Sequence, residues 1–260
     1  MDFRLDARIL LEHVCNTNST TLYANGDREL SEMERKKYEE LINKRVQHVP
    51  LQHLTGIQGF MGLDFKVNRD VLIPRQDTET LVEEVLRELH DGMSILDMCI
   101  GSGCILLSLL YYSNECSGLG ADLSEDALKV AKENAKLLGI DAEFIQSDLF
   151  SNINGKFDVI VSNPPYIKTK EIEELMPEVR DYEPFMALDG KEDGLSFYVR
   201  IIEKSVDFLY EGGLLAFEIG CEQGEDVSKL MRENGFTNIE VIKDLCGLDR
   251  VVKGRKKVNV

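Results

Sequence analysis

The sequence predicts an α/β protein in which a mostly parallel sheet carries helices on both faces and ends on an antiparallel last strand, preceded by a small all-helical domain. Three observations predict it. From about residue 78 onward, strand-like and helix-like stretches alternate, which is the pattern of a covered parallel sheet with ligands at the carboxyl ends of its strands. A turn rich in small residues, Asp97-Met-Cys-Ile-Gly-Ser-Gly103, follows the first of those strands. The last two strand-like stretches have no obvious helix between them, so the chain closes as a hairpin.

The bulk properties bound this reading. With 260 residues, 43% hydrophobic and only 6 prolines, the chain is long enough for one large domain and a small one. No apolar stretch approaches the roughly 20 residues of a membrane span. The acidic start Met1-Asp-Phe-Arg-Leu-Asp6 is unlike a targeting segment. A cytoplasmic protein without membrane contact is expected. Cys15, Cys99, Cys104, Cys116, Cys221 and Cys246 form no C-x-x-C pair, and no histidine stands at ligand spacing from them, so buried reduced thiols and no metal are expected. A net charge of −17 opposes binding to phosphate backbones.

Taken in order, Leu5 to Val14 repeats apolar residues at spacings of three and four, and Ser31-Glu-Met-Glu34 has capping-box spacing ahead of Tyr38, Leu41, Ile42 and Val46. These predict the helices of a domain over 1–56, with Pro50 to Gly56 breaking the helical pattern. Alternation from Phe60 to Ile73 around Gly62 predicts a hairpin within a connector over 57–77. The sheet domain then fills 78–260. Thr80-Leu-Val-Glu83 has capping spacing for a helix through Leu89. Strands are expected at Ser94 to Cys99, Ser117 to Asp122, Ala142 to Gln146, Phe157 to Ser162, Leu214 to Ile219, Ile239 to Lys243 and Arg250 to Lys253. Helices are expected notably at Ser124 to Leu138 and Ser196 to Tyr210.

Three successive strand ends carry the features of a nucleoside site. After the first, glycines permit a tight turn into a helix whose bare amides favour negative groups. After the second, Gly120-Ala-Asp122 places a carboxylate about 25 positions beyond Asp97, near the separation of about 20 expected of a ribose-binding acid. After the third, Gln146-Ser-Asp148-Leu149 offers an acceptor for an adenine amino group and an apolar side chain for the ring, although a loop-capping Asp reads almost as well. A dinucleotide would want a third glycine where Leu106 stands. Asp97, two positions before the loop, is instead a feature of adenosylmethionine enzymes.

The fourth strand ends in Ser162-Asn-Pro-Pro-Tyr-Ile167. A Pro-Pro pair terminates a ladder by donating no hydrogen bonds, which is the plain structural reading. The wider set resembles the release-factor glutamine methyltransferases. The resemblance rests on Pro50-Leu-Gln-His-Leu-Thr-Gly56, Leu72-Ile-Pro-Arg75 with Thr78-Glu79, Asp97 to Gly103, Asn163-Pro-Pro-Tyr166, Glu183-Pro-Phe-Met-Ala-Leu188, Asp193-Gly-Leu195, Glu218-Ile-Gly220 and Gly247-Leu-Asp-Arg250. Asn-Pro-Pro-Tyr alone is shared by several amino-group methyltransferases; the ordered set is specific. It implies a Rossmann-like AdoMet-dependent methyltransferase sheet, S-adenosyl-L-methionine as methyl donor, and release factors as protein partners, methylated on the side-chain amide of the glutamine in a Gly-Gly-Gln motif. The segment over 1–56 would then dock the substrate. The chain departs from the family pattern at Cys99, where glycine is usual, and at Gln76-Asp77, where Pro-Glu is usual.

Carried onto this sequence, the cofactor-binding residues are Asp97, Cys99, Ile100, Gly101, Ser102, Gly103, Asp122, Asp148, Leu149 and Asn163. The resemblance gives catalysis to Asn163, Pro164 and Tyr166, and substrate binding to the same three with Pro165. A carboxamide nitrogen is a poor nucleophile because its lone pair is delocalised. The Asn163 oxygen and the Pro164 carbonyl can accept its two N–H groups and aim that lone pair, Pro165 presets the direction of the Pro164 carbonyl, and Tyr166 supplies an aromatic wall. Arg75, Thr78 and Glu79 border the cofactor or cap a helix. Glu183 is expected to steady the loop after the acceptor site, Glu218 has no assigned role, and Glu171 to Glu174 reads as a solvated helix face. Two other functions share these motifs. An adenine amino methyltransferase would need a basic surface for nucleic acid, and a non-catalytic adenosylmethionine-binding protein would not need Asn163 and Tyr166.

Overall fold

The computed structural model of the protein describes residues 3–258. It opens with helices α1 (Phe3–Val14), α2 (Ser19–Ala24), α3 (Glu32–Val46) and α4 (Leu51–Thr55). The expected capping box opens α3: the Ser31 hydroxyl accepts the Glu34 N–H at 3.3 Å, and the Glu34 carboxylate accepts the Ser31 N–H at 2.8 Å, an arrangement worth about 1 kcal/mol. Pro50 to Gly56 does more than interrupt the helical pattern. Pro50 stands at the N-cap of α4, and Gly56 ends it at φ +77°, a left-handed position that favours glycine.

A hairpin follows, β1 (Ile57–Phe60) and β2 (Leu63–Lys66). Its two-residue turn, Met61 and Gly62, has positive φ at both positions, which matches the twist of the strands it joins. The hairpin begins earlier than the alternation suggested, and the chain from Val67 to Ile73 is irregular. Helix α5 (Glu79–Leu86) corrects another expectation. Its start is a single 3-10 turn over Gln76–Thr78, Thr80 lies inside the helix and caps nothing, and the helix stops before Leu89.

The sheet comprises β3 (Ser94–Met98), β4 (Ser117–Asp122), β5 (Glu143–Gln146), β6 (Phe157–Ser162), β7 (Leu209–Glu218), β8 (Phe236–Lys243) and β9 (Asp249–Lys256). Their order is β5-β4-β3-β6-β7-β9-β8, and β9 runs antiparallel to both neighbours. Helices α6 (Cys104–Tyr112), α7 (Glu125–Leu138), α8 (Pro177–Arg180), α9 (Phe185–Leu188), α10 (Ser196–Phe208) and α11 (Gly224–Glu233) complete the chain. The fold class matches the expectation. Central strands are apolar on both faces: Ile95 and Leu96 on β3, Ile160 and Val161 on β6, and Leu215 and Ala216 on β7 are fully buried, each large side chain contributing about 1.5–3 kcal/mol.

Further elements differ from the expectation: β7 and β8 begin earlier than Leu214 and Ile239, and β9 runs on past Lys253 to Lys256. Helix α10 stops at Phe208 and Tyr210 belongs to β7, whose ladder with β6 shifts register beside Gly212 and Gly213. Helix α11 was not anticipated; it buries Val227 and Met231, one helical turn apart, with Leu230 partly buried beside them, in a stretch that is otherwise polar. All six cysteines are free thiols. Cys104 is buried, Cys15, Cys99 and Cys116 are half-buried, and Cys221 and Cys246 are exposed, so the expectation of buried thiols fails at the last two. Among the described residues no helix is long and apolar enough to cross a membrane, and no cluster of His, Cys, Asp and Glu side chains could hold a metal.

The chain runs from β3 outward through β4 to β5, then returns to place β6 on the other side of β3. That reversal opens a crevice at the carboxyl ends of β3 and β6, where open α/β sheets place their ligands. The Ser162 hydroxyl donates to the Met98 carbonyl at 2.5 Å and ties the two strand ends together there.

Candidate active site

The loop after β3 forms one wall. Cys99 has φ +63°, Gly101 +54° and Gly103 +83°, so the backbone curls and turns its amides toward the next strand. Gly101 N–H donates to Asp122 at 3.0 Å and Ser124 N–H to the other oxygen of the same carboxylate at 2.9 Å. Two lone pairs of Asp122 are thereby used to shape the loop, and two are left for a ligand. Gly120 lets Ile100 pack close, since a Cβ there would stand 2.0 Å from the Ile100 side chain. Cys99 occupies a left-handed position that glycine fills without strain. Its thiol is pushed up by burial and by Asp122 and Asp97 nearby, so it stays protonated.

Asp97 lies beneath the loop, fully buried. One carboxylate oxygen accepts the Leu106 N–H at 3.2 Å, and the other has no partner among the described residues. Burial holds its carboxyl well above the usual range. Above the loop lies a cavity of about 250 Å³. Of the residues singled out from the sequence, Cys99, Ile100, Gly101, Ser102 and Asp122 line its near side. Asp148, Leu149, Asn163 and Pro165 line it from the ends of the neighbouring strands. Asp97, Gly103, Pro164 and Tyr166 are not on its wall. Asp148 also reaches Arg200 at 2.7 Å, whereas the Leu149 side chain is buried at φ +49°.

The acceptor loop after β6 is gripped from behind. The Tyr166 hydroxyl donates to Glu218 at 3.2 Å. The Gln223 amide donates to the carbonyls of Tyr166, at 3.1 Å, and Gly194, at 3.2 Å, while its oxygen accepts the Gly220 N–H at 2.9 Å. Gly190 and Gly194 press directly on this turn: a Cβ on Gly190 would stand 2.6 Å from Tyr166 Cα, and one on Gly194 2.5 Å from the Tyr166 carbonyl oxygen. Among the described residues no group in the chain takes the Asn163 side chain or the Pro164 carbonyl. Glu218 is buried with one oxygen unpartnered, and burial pushes its carboxyl up despite Arg250 nearby. The Tyr166 phenol is raised by burial and by Glu218.

The charge lining the cavity selects its guest. Its two cations are already paired, Arg75 with Glu183 at 2.6 Å and Lys191 with Asp189 at 2.8 Å. A polyphosphate would therefore meet Asp122 and Asp148 without a free cation, whereas an uncharged or cationic nucleoside suits the carboxylates.

Comparison with known proteins agrees. Residues 2–56 match the family described as the PrmC N-terminal domain, and residues 76–179 the methyltransferase small domain. The release factor glutamine methyltransferase of Clostridium acetobutylicum is 43% identical over 254 residues, 95% of this chain and 89% of the relative. That of Clostridium botulinum is 41% identical over 261 residues, 98% and 92% of the two chains. The chain belongs to the release factor glutamine methyltransferase family. At the level of fold, a methyltransferase from Pyrococcus furiosus superposes with a TM-score of 0.57 at 17% identity, covering 86% of this chain and 99% of that one. The methyl donor is S-adenosylmethionine, and the residues present fit it. The loop is a cradle of positive-φ residues, the carboxylates at its edge suit a ribose and a cationic centre, and the buried oxygen of Asp97 is unsatisfied.

Several residues that shape this site were missed in the sequence. Gln223 and Gly190 act through contacts with the Tyr166 turn, distant in the chain, and neither belongs to a motif singled out from the sequence. Gly194 is the glycine of the Asp193-Gly-Leu195 motif, but its close approach to Tyr166 shows only in the structure. Glu79, read as a border or cap residue, instead accepts the Met61 N–H at 2.7 Å and fixes the hairpin turn to α5.

Proposed function

We propose that this protein methylates the side-chain amide nitrogen of the glutamine in the Gly-Gly-Gln motif of translation release factors. The observation that carries the reading is that Asn163 and Pro165 open onto the same cavity as Asp122 and the Cys99 to Ser102 loop. Bound S-adenosylmethionine supplies a methyl group already activated on a sulfonium centre. In this reading Asp122 accepts from the ribose hydroxyls, Leu149 covers the adenine, and Asp148 lies beside its amino group. Asp97 acts from beneath, where its carboxyl accepts the Leu106 N–H and holds the first turn of α6 under the loop.

At the acceptor end, the Asn163 oxygen and the Pro164 carbonyl accept the two N–H groups of the glutamine amide. Among the described residues neither acceptor has a partner, so they carry no competing bond there. Holding both N–H groups fixes the nitrogen with its lone pair turned into the cavity, and such orientation is a large part of the barrier in a reaction that needs no covalent enzyme intermediate. Tyr166, fixed by Glu218 and Gln223, keeps the turn in place. The proton displaced from nitrogen leaves to water, and no side chain is needed as its base.

The partner is a protein, and residues 1–56 with their helices contribute to its docking. A purified release factor incubated with the protein and methyl-labelled donor should gain one methyl group on that glutamine, mapped by mass spectrometry. A release factor with Gln→Ala at that position should gain none. Transfer to an adenine-containing oligonucleotide instead would replace this reading with a nucleic-acid one.

A further inference from the structure

The segment after the acceptor loop, residues 167–195, has little regular structure of its own: a 3-10 stretch and the four-residue helices α8 and α9. Yet Phe185 and Met186 line the cavity, and Gly190 and Gly194 pack on Tyr166. A segment so poor in secondary structure holds its conformation through its anchors. Those on the catalytic side are visible in Arg75 to Glu183 and in Gln223 to Gly194. Bonds within the segment add to these, Ile167 N–H to the Leu188 carbonyl at 3.0 Å and Gly190 N–H to the Ile167 carbonyl at 2.8 Å, and two further anchors come from the other domain.

Arg45, near the end of α3, is 8% exposed and uses three directions of its guanidinium. Nε donates to Asp6 of α1 at 2.7 Å and Nη1 to the Val49 carbonyl at 3.1 Å, both within the helical domain. Nη2 crosses over and donates to Glu178 of α8 at 3.1 Å. Beside it the Tyr182 hydroxyl donates to the Gln47 carbonyl at 2.8 Å. Tyr182 is followed directly by Glu183, whose side chain is 1% exposed and locked to Arg75. A continuous path thus runs from the helical domain through Glu178 and Tyr182 to α9 and on to Tyr166. A planar guanidinium fixed on two sides has one orientation left for its third bond, which makes Arg45 a rigid bracket.

We infer that Arg45 is a positioning residue for the acceptor site: through Glu178, and with the parallel Gln47–Tyr182 bond, it braces the segment that carries Phe185, Met186, Gly190 and Gly194 against Tyr166. The helical domain therefore holds the catalytic loop in shape as well as meeting the substrate protein. This rests on the proposed methyl transfer for its kinetic consequence, but its structural half stands by itself. Loss of the helical domain would then have a distinguishing consequence. A docking module alone would spare small substrates; a brace would not.

The test leaves Arg45 itself in place, because Glu178→Ala combined with Tyr182→Phe cuts both crossing bonds while Arg45 keeps Asp6 and Val49. In the full-length protein, amide exchange over residues 177–195 should quicken by about tenfold, with the helices of residues 3–46 unchanged. With a short Gly-Gly-Gln peptide as acceptor, kcat should fall by about tenfold while the Kd for S-adenosylmethionine stays within twofold. Glu178→Gln, which keeps an oxygen for Arg45, should retain most of the wild-type kcat. Unchanged exchange over 177–195 would overturn the brace. So would faster exchange with peptide kcat unaltered, or a higher KM for the whole release factor alone. Should the wild-type protein methylate no Gly-Gly-Gln substrate, the functional reading falls, and the exchange measurement still decides whether the brace exists.

Discussion

Gly190→Ala is the sharpest steric probe of the acceptor turn. The backbone at Gly190 does not have the positive φ that makes a side chain strained by itself, so the only new feature is a methyl group. That methyl would sit 2.6 Å from Tyr166 Cα, 2.7 Å from the Tyr166 carbonyl carbon and 3.0 Å from Gly194 Cα, all of them backbone. Relief to an ordinary contact of 3.4 Å requires a movement of about 0.8 Å, and a misplacement of about 1 Å at a reacting centre costs about 10²-fold in rate. We expect kcat to fall roughly 50- to 100-fold. The Kd for S-adenosylmethionine, measured by calorimetry, should stay within about threefold, since Asp122 and the Cys99 to Gly103 loop stand on the other side of the crevice. Gly155→Ala is the control: its φ is +88° with open space around it, so it costs about 1 kcal/mol of backbone strain without touching the site and should leave kcat alone. Wild-type turnover in a folded Gly190→Ala protein would refute the argument that this contact sets the acceptor geometry.

Other expectations follow from the same geometry. Asp122→Ala should weaken S-adenosylmethionine binding by about 1.5–3 kcal/mol, the scale of hydrogen bonds to a charged group, and unchanged affinity by calorimetry would remove Asp122 from the site. Asp97 gives a pH prediction. Its carboxyl is raised by burial, so between its unfolded and folded pKa the native state binds more protons, and its contribution to stability is lost as pH rises through that window. Asp97→Asn does not titrate. The thermal midpoint of that variant minus that of the wild type, both without cofactor, should therefore climb from about pH 4 toward neutrality; a flat or falling difference would contradict the assignment.

Much of the fold was legible because its strands are short apolar runs buried on both faces. The expected bounds of β4 and β6 agree with the structure to the residue. Helix α11 escaped because Val227 and Met231 lie in a stretch that opens Gly-Glu-Asp and is otherwise mostly polar, so its narrow buried stripe appears only once the sheet is there to cover it. The helix start near residue 80 was misplaced because Thr80 and Glu83 have capping spacing in the sequence but already lie within the helix. The candidate site divides in the same way. Asp97 to Gly103 and Asn163 to Tyr166 are contiguous motifs and could be read directly. Gln223, Gly190 and Arg45 could not, because each matters through a contact with a residue far along the chain. Cys99 could be seen as a departure from the family's glycine, but only the backbone shows that it holds the left-handed conformation a glycine would take.

The central claim is that Asn163, with the Pro164 carbonyl, makes an amide nitrogen reactive by orienting it, and a single-turnover experiment tests it most directly. Wild-type protein and Asn163→Ala, each saturated with S-adenosylmethionine and release factor, are mixed and quenched, and methyl on the Gly-Gly-Gln glutamine is counted against time. The account predicts that the rate of transfer falls by about 10²-fold or more in Asn163→Ala, with the donor's Kd near that of the wild type. Equal single-turnover rates in the two proteins would contradict it.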